Sequence, residues 1–233
     1  TDEIRRQLSA QYGENEFLSG GYAVRASMDD SLQRVAERAL RLALESYDRE
    51  QGLWRGAAAR IDPALLTDEA AWRAALASIE IARDIDGWSV AVVLSVDDQS
   101  ARIGIEGLAR DDGAQVIPAE DVTWARPLNP DGSRGRQARG PDDLLAPGDV
   151  VHVRAVTRDG DGAVSGWSLR QVPEVQGGFM AMDVNTGRVL AMQGGFSYQH
   201  SSFNRATQAT RQPGSSFKTL VYAAALDSGY SPN

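Results

Sequence analysis

Lys218 is the only lysine among 24 lysines and arginines. Every other basic side chain is an arginine, whose guanidinium keeps its charge in a protein, so the one lysine marks a position where an amine that can release its proton is useful. It stands three residues after Ser215 in Gln212-Pro213-Gly214-Ser215-Ser216-Phe217-Lys218. On a helix that spacing places a hydroxyl and an amine on one face, one turn apart, as a lysine needs in order to activate a serine nucleophile. The chemistry implied is nucleophilic attack by Ser215, with Lys218 taking its proton. An amine does this where it is partly desolvated or near another cation. Ser215 at a helix start also lies by the positive end of the macrodipole, which favours developing negative charge. Ser216, two residues from Lys218, faces elsewhere and is the weaker candidate. Ser-x-x-Lys also arises by chance, so the surrounding elements must carry the reading.

Those elements fall into three regimes. In the first, Leu32, Val35, Ala36, Ala39, Leu40, Ala43, Leu44 and Tyr47 recur at helical spacing, with Asp29 or Asp30 as N-cap and Gly52 as stop. Before this helix, the stretch from Gly20 to Ser27 alternates like a short strand entered through a glycine turn. The second regime opens with a short helix over 68–83 and turns to period two. Trp88, Val90, Val92, Leu94 and Val96 lead it, then Ile103 and Ile105, Val151 and Val153, and Trp167 and Leu169. Short strands between turn signals predict a closed or nearly closed antiparallel barrel over 87–173, with the OB-fold as leading candidate. Residues 129–143, rich in Gly, Pro, Arg and Asp, read as a mobile loop within it. The third regime is a hairpin, Phe179 to Val184 and Arg188 to Met192 around Asn185-Thr186-Gly187, followed by a polar stretch and an apolar helix from Ser215 to Leu226. A helix apolar nearly all round expects a covering partner, and Phe217 to Leu226 should be exposed without one.

The run Phe203-Asn204-Arg205-Ala206-Thr207-Gln208-Ala209-Thr210-Arg211-Gln212-Pro213-Gly214-Ser215-Ser216-Phe217-Lys218 closely resembles the segment that leads into the active site of class A penicillin-binding proteins, the bifunctional peptidoglycan synthases. Gly178 to Gly195 resembles the hairpin before that site, and Pro147-Gly148-Asp149 with Trp167 and Leu169 resembles the OB-like insert of the 1A branch. Gly20-Gly21 through Asp29, Leu32-Gln33, Tyr47-Asp48 and Arg55-Gly56 resembles the linker after the glycosyltransferase domain. The resemblance implies an α+β chain. Residues 1–56 would be linker, 57–175 a small antiparallel OB-like β-barrel, and 176–233 the N-terminal part of a truncated, serine β-lactamase-like transpeptidase domain. It implies Ser215 as nucleophile and Lys218 as its base, with the D-alanyl-D-alanine end of a peptidoglycan stem peptide as substrate and β-lactams as acylating mimics. It further implies a parent anchored by an N-terminal membrane helix on the periplasmic side of the bacterial inner membrane, with a cell-wall regulator as a partner for the OB-like domain. The family usually has proline after the lysine, where this chain has Thr219, a mild change in a first helical turn. Its Ser-x-Asn and Lys-Thr-Gly motifs are read as absent, so the segment alone is expected to be a poor acylation target.

Composition bounds the alternatives. The 233 residues, 42% of them hydrophobic, suffice for a core, and the ends read as cuts within a longer protein. A net charge of -8 and scattered aromatics argue against nucleic acid as the main partner. The absence of cysteine excludes disulfides and thiol chemistry and leaves the compartment open. No cofactor or metal is expected: His152 lies in a strand as a core or surface histidine, and His200 has no spaced carboxylate partner. Asp111-Asp112-Gly113, Asp131-Gly132 and Asp159-Gly160-Asp161-Gly162 read as turns rather than calcium loops. The five tryptophans, Trp54, Trp72, Trp88, Trp124 and Trp167, read as core or interface residues. Two other readings stand beside the synthase: a non-catalytic OB-like docking module, and a serine β-lactamase, which would not account for the linker and insert.

Overall fold

The computed structural model describes residues 2–111, 113–157 and 164–232. Two short helices, α1 (Asp2–Tyr12) and α2 (Glu14–Ser19), precede the long α3 (Asp30–Glu50). Asp29 caps α3, its side chain accepting from the Ser31 and Leu32 amides at 2.9 and 3.0 Å. Gly52, at φ +66°, turns the chain away after it. The expected strand at Gly20 to Ser27 does not form. That stretch is exposed and irregular; Tyr22 stacks back on Tyr12 and Phe17, and Ser27 Oγ donates to the Val189 carbonyl, with no backbone ladder.

Short strands β1 (Leu53–Trp54) and β2 (Ala59–Arg60) lead into α4 (Glu69–Ser78), capped by Asp68. Then come β3 (Ser89–Val96), β4 (Ser100–Ile105), β5 (Val116–Pro118), α5 (Ala119–Val122), β6 (Arg126–Pro127), β7 (Asp149–Thr157) and β8 (Val164–Arg170). The main sheet runs β5-β4-β3-β7, with β8 and β2 both paired to β7, and every pairing is antiparallel. It curls so that Gly166 of β8 sits against the Val116 carbonyl of β5, where an added Cβ would lie 3.6 Å away. Among the described residues no strand pairing joins β5 to β8, so the barrel expected from the sequence is left open at that seam.

The alternation in β3 reads differently in three dimensions. Ala91 and Val93 enter the sheet's interior with Ile103, Ile105, Ile117, Val151, Val153, Trp167 and Leu169. Val90 and Val92 face the other way, onto Trp72 and Leu76 of α4. The strand is therefore buried on both faces, and of the apolar set read from the sequence Val90, Val92 and Leu94 lie on the outer one, while Val96, past a register shift, packs with the interior. The helix expected over 68–83 stops at Ser78; beyond it Ile81 stays with the Trp72 and Leu76 cluster while Ala82 and Ile85 join that of Leu44 and Phe196. The segment over 129–143 is tied down rather than free. Leu128 bridges Arg134, the Ala138 amide donates to the Ala125 carbonyl at 2.9 Å, and Ala138 is buried.

The last elements are the hairpin β9 (Phe179–Met182) and β10 (Val189–Gln193), then α6 (Phe217–Asp227). Asp183 folds the turn by accepting from the Asn185 and Thr186 amides, and Gly187 takes φ +70°. Helix α3 joins this hairpin to the main sheet. At one end Gln33 makes paired bonds with the Met192 backbone, 3.0 Å to its carbonyl and 2.9 Å from its amide. At the other, Glu45 faces Arg154 and Arg170, Asp48 pairs with Arg55, and Arg49 donates to the Leu169 carbonyl. Burial, opposed by Glu45, pulls the Arg170 guanidinium down to about 10.

Candidate active site

The approach to Ser215 begins where the hairpin ends. Gly178 and Gly194 flank the last ladder pair, Phe179–Gln193. Both lack a Cβ where the chain returns over them: a Cβ on Gly194 would fall 2.1 Å from Asn204 Oδ1, and one on Gly178 would fall 2.9 Å from the Ala206 amide nitrogen. Asn204 organises the return. Its side chain accepts from the Ala206 amide at 3.1 Å, its carbonyl accepts from the Gln208 amide at 2.7 Å, and the Arg205 amide donates to the Gly194 carbonyl at 2.9 Å. Upstream, Asp84 holds residues 197–199 by accepting from the Ser197 hydroxyl and the Tyr198 and Gln199 amides. Burial alone would raise the Asp84 carboxyl, but these donors and Arg41 outweigh it and lower it.

Ser215 lies in a 3-10 turn, Gly214–Ser216, that runs directly into α6, with Gly214 at φ +51°. Ser215 thus stands in the 3-10 turn and Lys218 in the first turn of α6. Both are exposed, and neither side chain has a hydrogen-bond partner among the described residues. The desolvation expected around Lys218 is not supplied by this chain. Apart from the partly buried Ala225, the rest of α6 is exposed too, Leu220 to 63% and Tyr222 to 65%, as its composition predicts for a helix without a covering partner. A cleft of about 890 Å³ between α1, residues 24–28 and β10 includes neither Ser215 nor Lys218.

The reading that Ser-x-Asn is absent is corrected by two tripeptides of that spelling, Ser202-Phe203-Asn204 and Ser231-Pro232-Asn233. In the first, the Asn204 amide donates to Glu3 and approaches the Met192 sulfur, and it makes no hydrogen bond to Ser215 among the described residues. Asn233 lies outside the described residues, as do Asp112 and the Asp159 to Gly162 turn. Among the described residues no group of three or more His, Asp or Glu side chains could hold a metal ion, and no helix is long and apolar enough to cross a membrane. His152 is a core histidine: it is buried, its Nε2 bonds the Ala82 carbonyl at 2.7 Å, and Trp88 packs on its ring. Trp54, Trp72 and Trp167 are buried, and Trp88 and Trp124 pack against the clusters from partly buried positions.

Residues 54–175 match the family described as penicillin-binding protein OB-like domain, and residues 177–233 match the penicillin-binding protein transpeptidase domain. The chain belongs to the penicillin-binding protein family. Among its relatives, the penicillin-binding protein 1A of Vibrio cholerae is 35% identical over 97% of this chain and 26% of its own length. That of Escherichia coli is 32% identical over 98% of this chain and 25% of its own length. The crystal structure of penicillin-binding protein 1A from Haemophilus influenzae superposes with a TM-score of 0.72 at 25% identity, covering 97% of this chain and 30% of that one. The chain thus spans about a quarter of the length of the curated relatives it matches. Its antiparallel sheet with flanking helices is the α+β architecture expected for an OB-like domain joined to the beginning of a penicillin-binding transpeptidase domain.

Proposed function

We propose that this chain is part of a bifunctional peptidoglycan synthase and contributes the serine nucleophile of its D,D-transpeptidase. The observation carrying the reading is the transpeptidase-family match over 177–233, within which Ser215 precedes Lys218 by three residues where a 3-10 turn runs into α6. Lys218 takes the proton of Ser215 Oγ as the oxygen attacks the D-alanyl-D-alanine carbonyl. The C–N bond breaks, the terminal D-alanine leaves with a proton returned by Lys218, and an ester remains on Ser215. An amine of a neighbouring strand then attacks the ester, takes the acyl group and frees the serine. A β-lactam enters the same step through its strained carbonyl. The proposal extends to the whole protein: glycan polymerisation by a glycosyltransferase domain, an N-terminal membrane anchor, and work on the periplasmic face of the inner membrane. We assign residues 1–56 to the linker, 57–175 to the OB-like insert, on which a cell-wall regulator would dock, and 176–233 to the transpeptidase domain.

The test is mass spectrometry after treatment with a labelled penicillin. In a protein carrying the complete transpeptidase domain, the adduct should map to Ser215 and vanish in Ser215→Ala. Lys218→Arg, which keeps the charge and loses the titratable amine, should be nearly as damaging. Residues 1–233 alone should label on the order of a hundred to a thousand times more slowly, since oxyanion donors are missing. An adduct elsewhere in the complete protein would refute the assignment.

A further inference from the structure

We propose that Glu3 and Asn204 are positioning residues for Ser215, with Glu3 of α1 clamping the chain segment that delivers the serine onto the hairpin. The inference rests on the reading of Ser215 as nucleophile. Glu3 Oε2 accepts from the Thr207 hydroxyl at 2.9 Å and from Asn204 Nδ2 at 3.3 Å, contacts across 204 and 201 positions of sequence. The same carboxylate is itself held by Arg6 Nη2 at 2.7 Å and by Gln7 Nε2 at 2.8 Å. Arg6 also reaches the Thr207 hydroxyl at 3.4 Å. Among the described residues, the side-chain hydrogen bonds joining α1 to anything beyond α2 come from Glu3 and Arg6 alone, and both end on residues 204–207.

The clamp sits at the base of the tether that carries Ser215. Residues 204–208 are seated on Gly178 and Gly194, while between Gln208 and the Pro213 carbonyl no hydrogen bond fixes the backbone among the described residues. Gln208 is the last fixed point before Ser215, and the short free stretch after it inherits its position from the clamp. Ordering the base of such a tether removes conformational freedom from its end, where a nucleophile must stay within a few tenths of an ångström of its attack geometry. Glu3 suits the task electrostatically. Burial alone would raise its carboxyl, yet the donors from Arg6, Gln7 and Thr207 outweigh burial and bring it to about 2, so it stays ionised wherever acyl transfer is measured.

The experiment follows penicillin acylation by stopped flow in a protein carrying the complete transpeptidase domain, separating the acylation rate constant from the binding constant. Glu3→Ala, assayed well below its own melting temperature, should lower the rate constant on the order of tenfold with binding unchanged. Glu3→Gln, which keeps an acceptor for Thr207, should restore most of the rate. Thr207→Val is a milder second variant should Glu3→Ala fold poorly, with an expected loss of a few-fold. Rates equal to wild type in Glu3→Ala and Thr207→Val overturn the proposal, as does a loss confined to the binding constant or proportional to unfolded protein. A wild-type protein that acquires no adduct on Ser215 overturns the nucleophile reading and the proposal together. That result is distinct from one in which wild type and variants acylate alike.

Discussion

Glu3 shows how a residue can be unreadable in a sequence and central in a structure. Ser215 and Lys218 are legible because their relation is local, three positions within one helical turn. Glu3 begins an amphiphilic-looking helix like many others, and its partners lie more than two hundred residues away. The weak signals available were the Gly177-Gly178 and Gly194-Gly195 pairs, which announce a close backbone approach without saying what approaches. The contact has a measurable acid signature. The Glu3 carboxyl falls from the usual 4.5 to about 2 in the fold, so the unfolded chain binds the proton more readily. Its stabilisation is complete above about pH 4.5 and is lost as pH falls toward 2. Melting curves of wild type and Glu3→Gln should therefore converge between those values and run parallel above them. Curves that stay parallel down to pH 2 would show that the clamp carries no ionic component.

At the scale of elements, local patterns set the α3 cap, the β9–β10 hairpin and the exposed apolar face of α6, and these are the parts the sequence makes plain. Strand faces were harder. Period two identifies β3 as a strand but cannot say which of two apolar sets looks inward when a helix covers the outer face. That helix, α4, is seated by one fit: the Trp72 ring lies over Gly104 of β4, where a Cβ would come within 2.5 Å of Cη2. Trp72 is fully buried, so its ring has nowhere to retreat. Gly104→Ala should therefore cost about 1–3 kcal/mol, the range for overpacking a filled core, and read out as a lower melting temperature with α4 amides exchanging faster. Trp72→Phe, introduced alongside, should recover part of the loss by clearing room for the new methyl. A Gly104→Ala protein as stable as wild type would mean that α4 moves freely on the sheet.

Across the whole molecule, the OB-like sheet and the hairpin meet at residues 79–88, a segment expected to be helix over its first half and instead serving as the junction. Arg41 of α3 donates to the Phe196 and Asp84 carbonyls, Asp84 gathers residues 197–199, and His152 of β7 bonds the Ala82 carbonyl. A carbonyl only accepts, so His152 Nε2 carries the proton and the neutral ring keeps its lone pair on Nδ1. Burial first, then the Arg83 charge, lowers the His152 pKa below 6.5 despite the Ala82 carbonyl and the Asp84 carboxylate. The folded state thus binds this proton less readily than the unfolded chain, and the stabilisation is full above pH 6.5 and declines as pH falls below it. Asp84 acts in a separate window, being lowered from 3.8, so its contribution persists until pH falls past that value. Stability measured against pH should show both steps. His152→Leu should lose the decline below 6.5 while starting about 1–3 kcal/mol less stable, because the Ala82 carbonyl is left unpaired in a buried site. Asp84→Asn should keep that decline and show a smaller acid step, the part due to Glu3 remaining. Amide exchange at Tyr198 and Gln199 should quicken in Asp84→Asn, since the carboxylate that accepts from both is gone. If the decline below pH 6.5 survives in His152→Leu, its source is not the His152 contact with this junction.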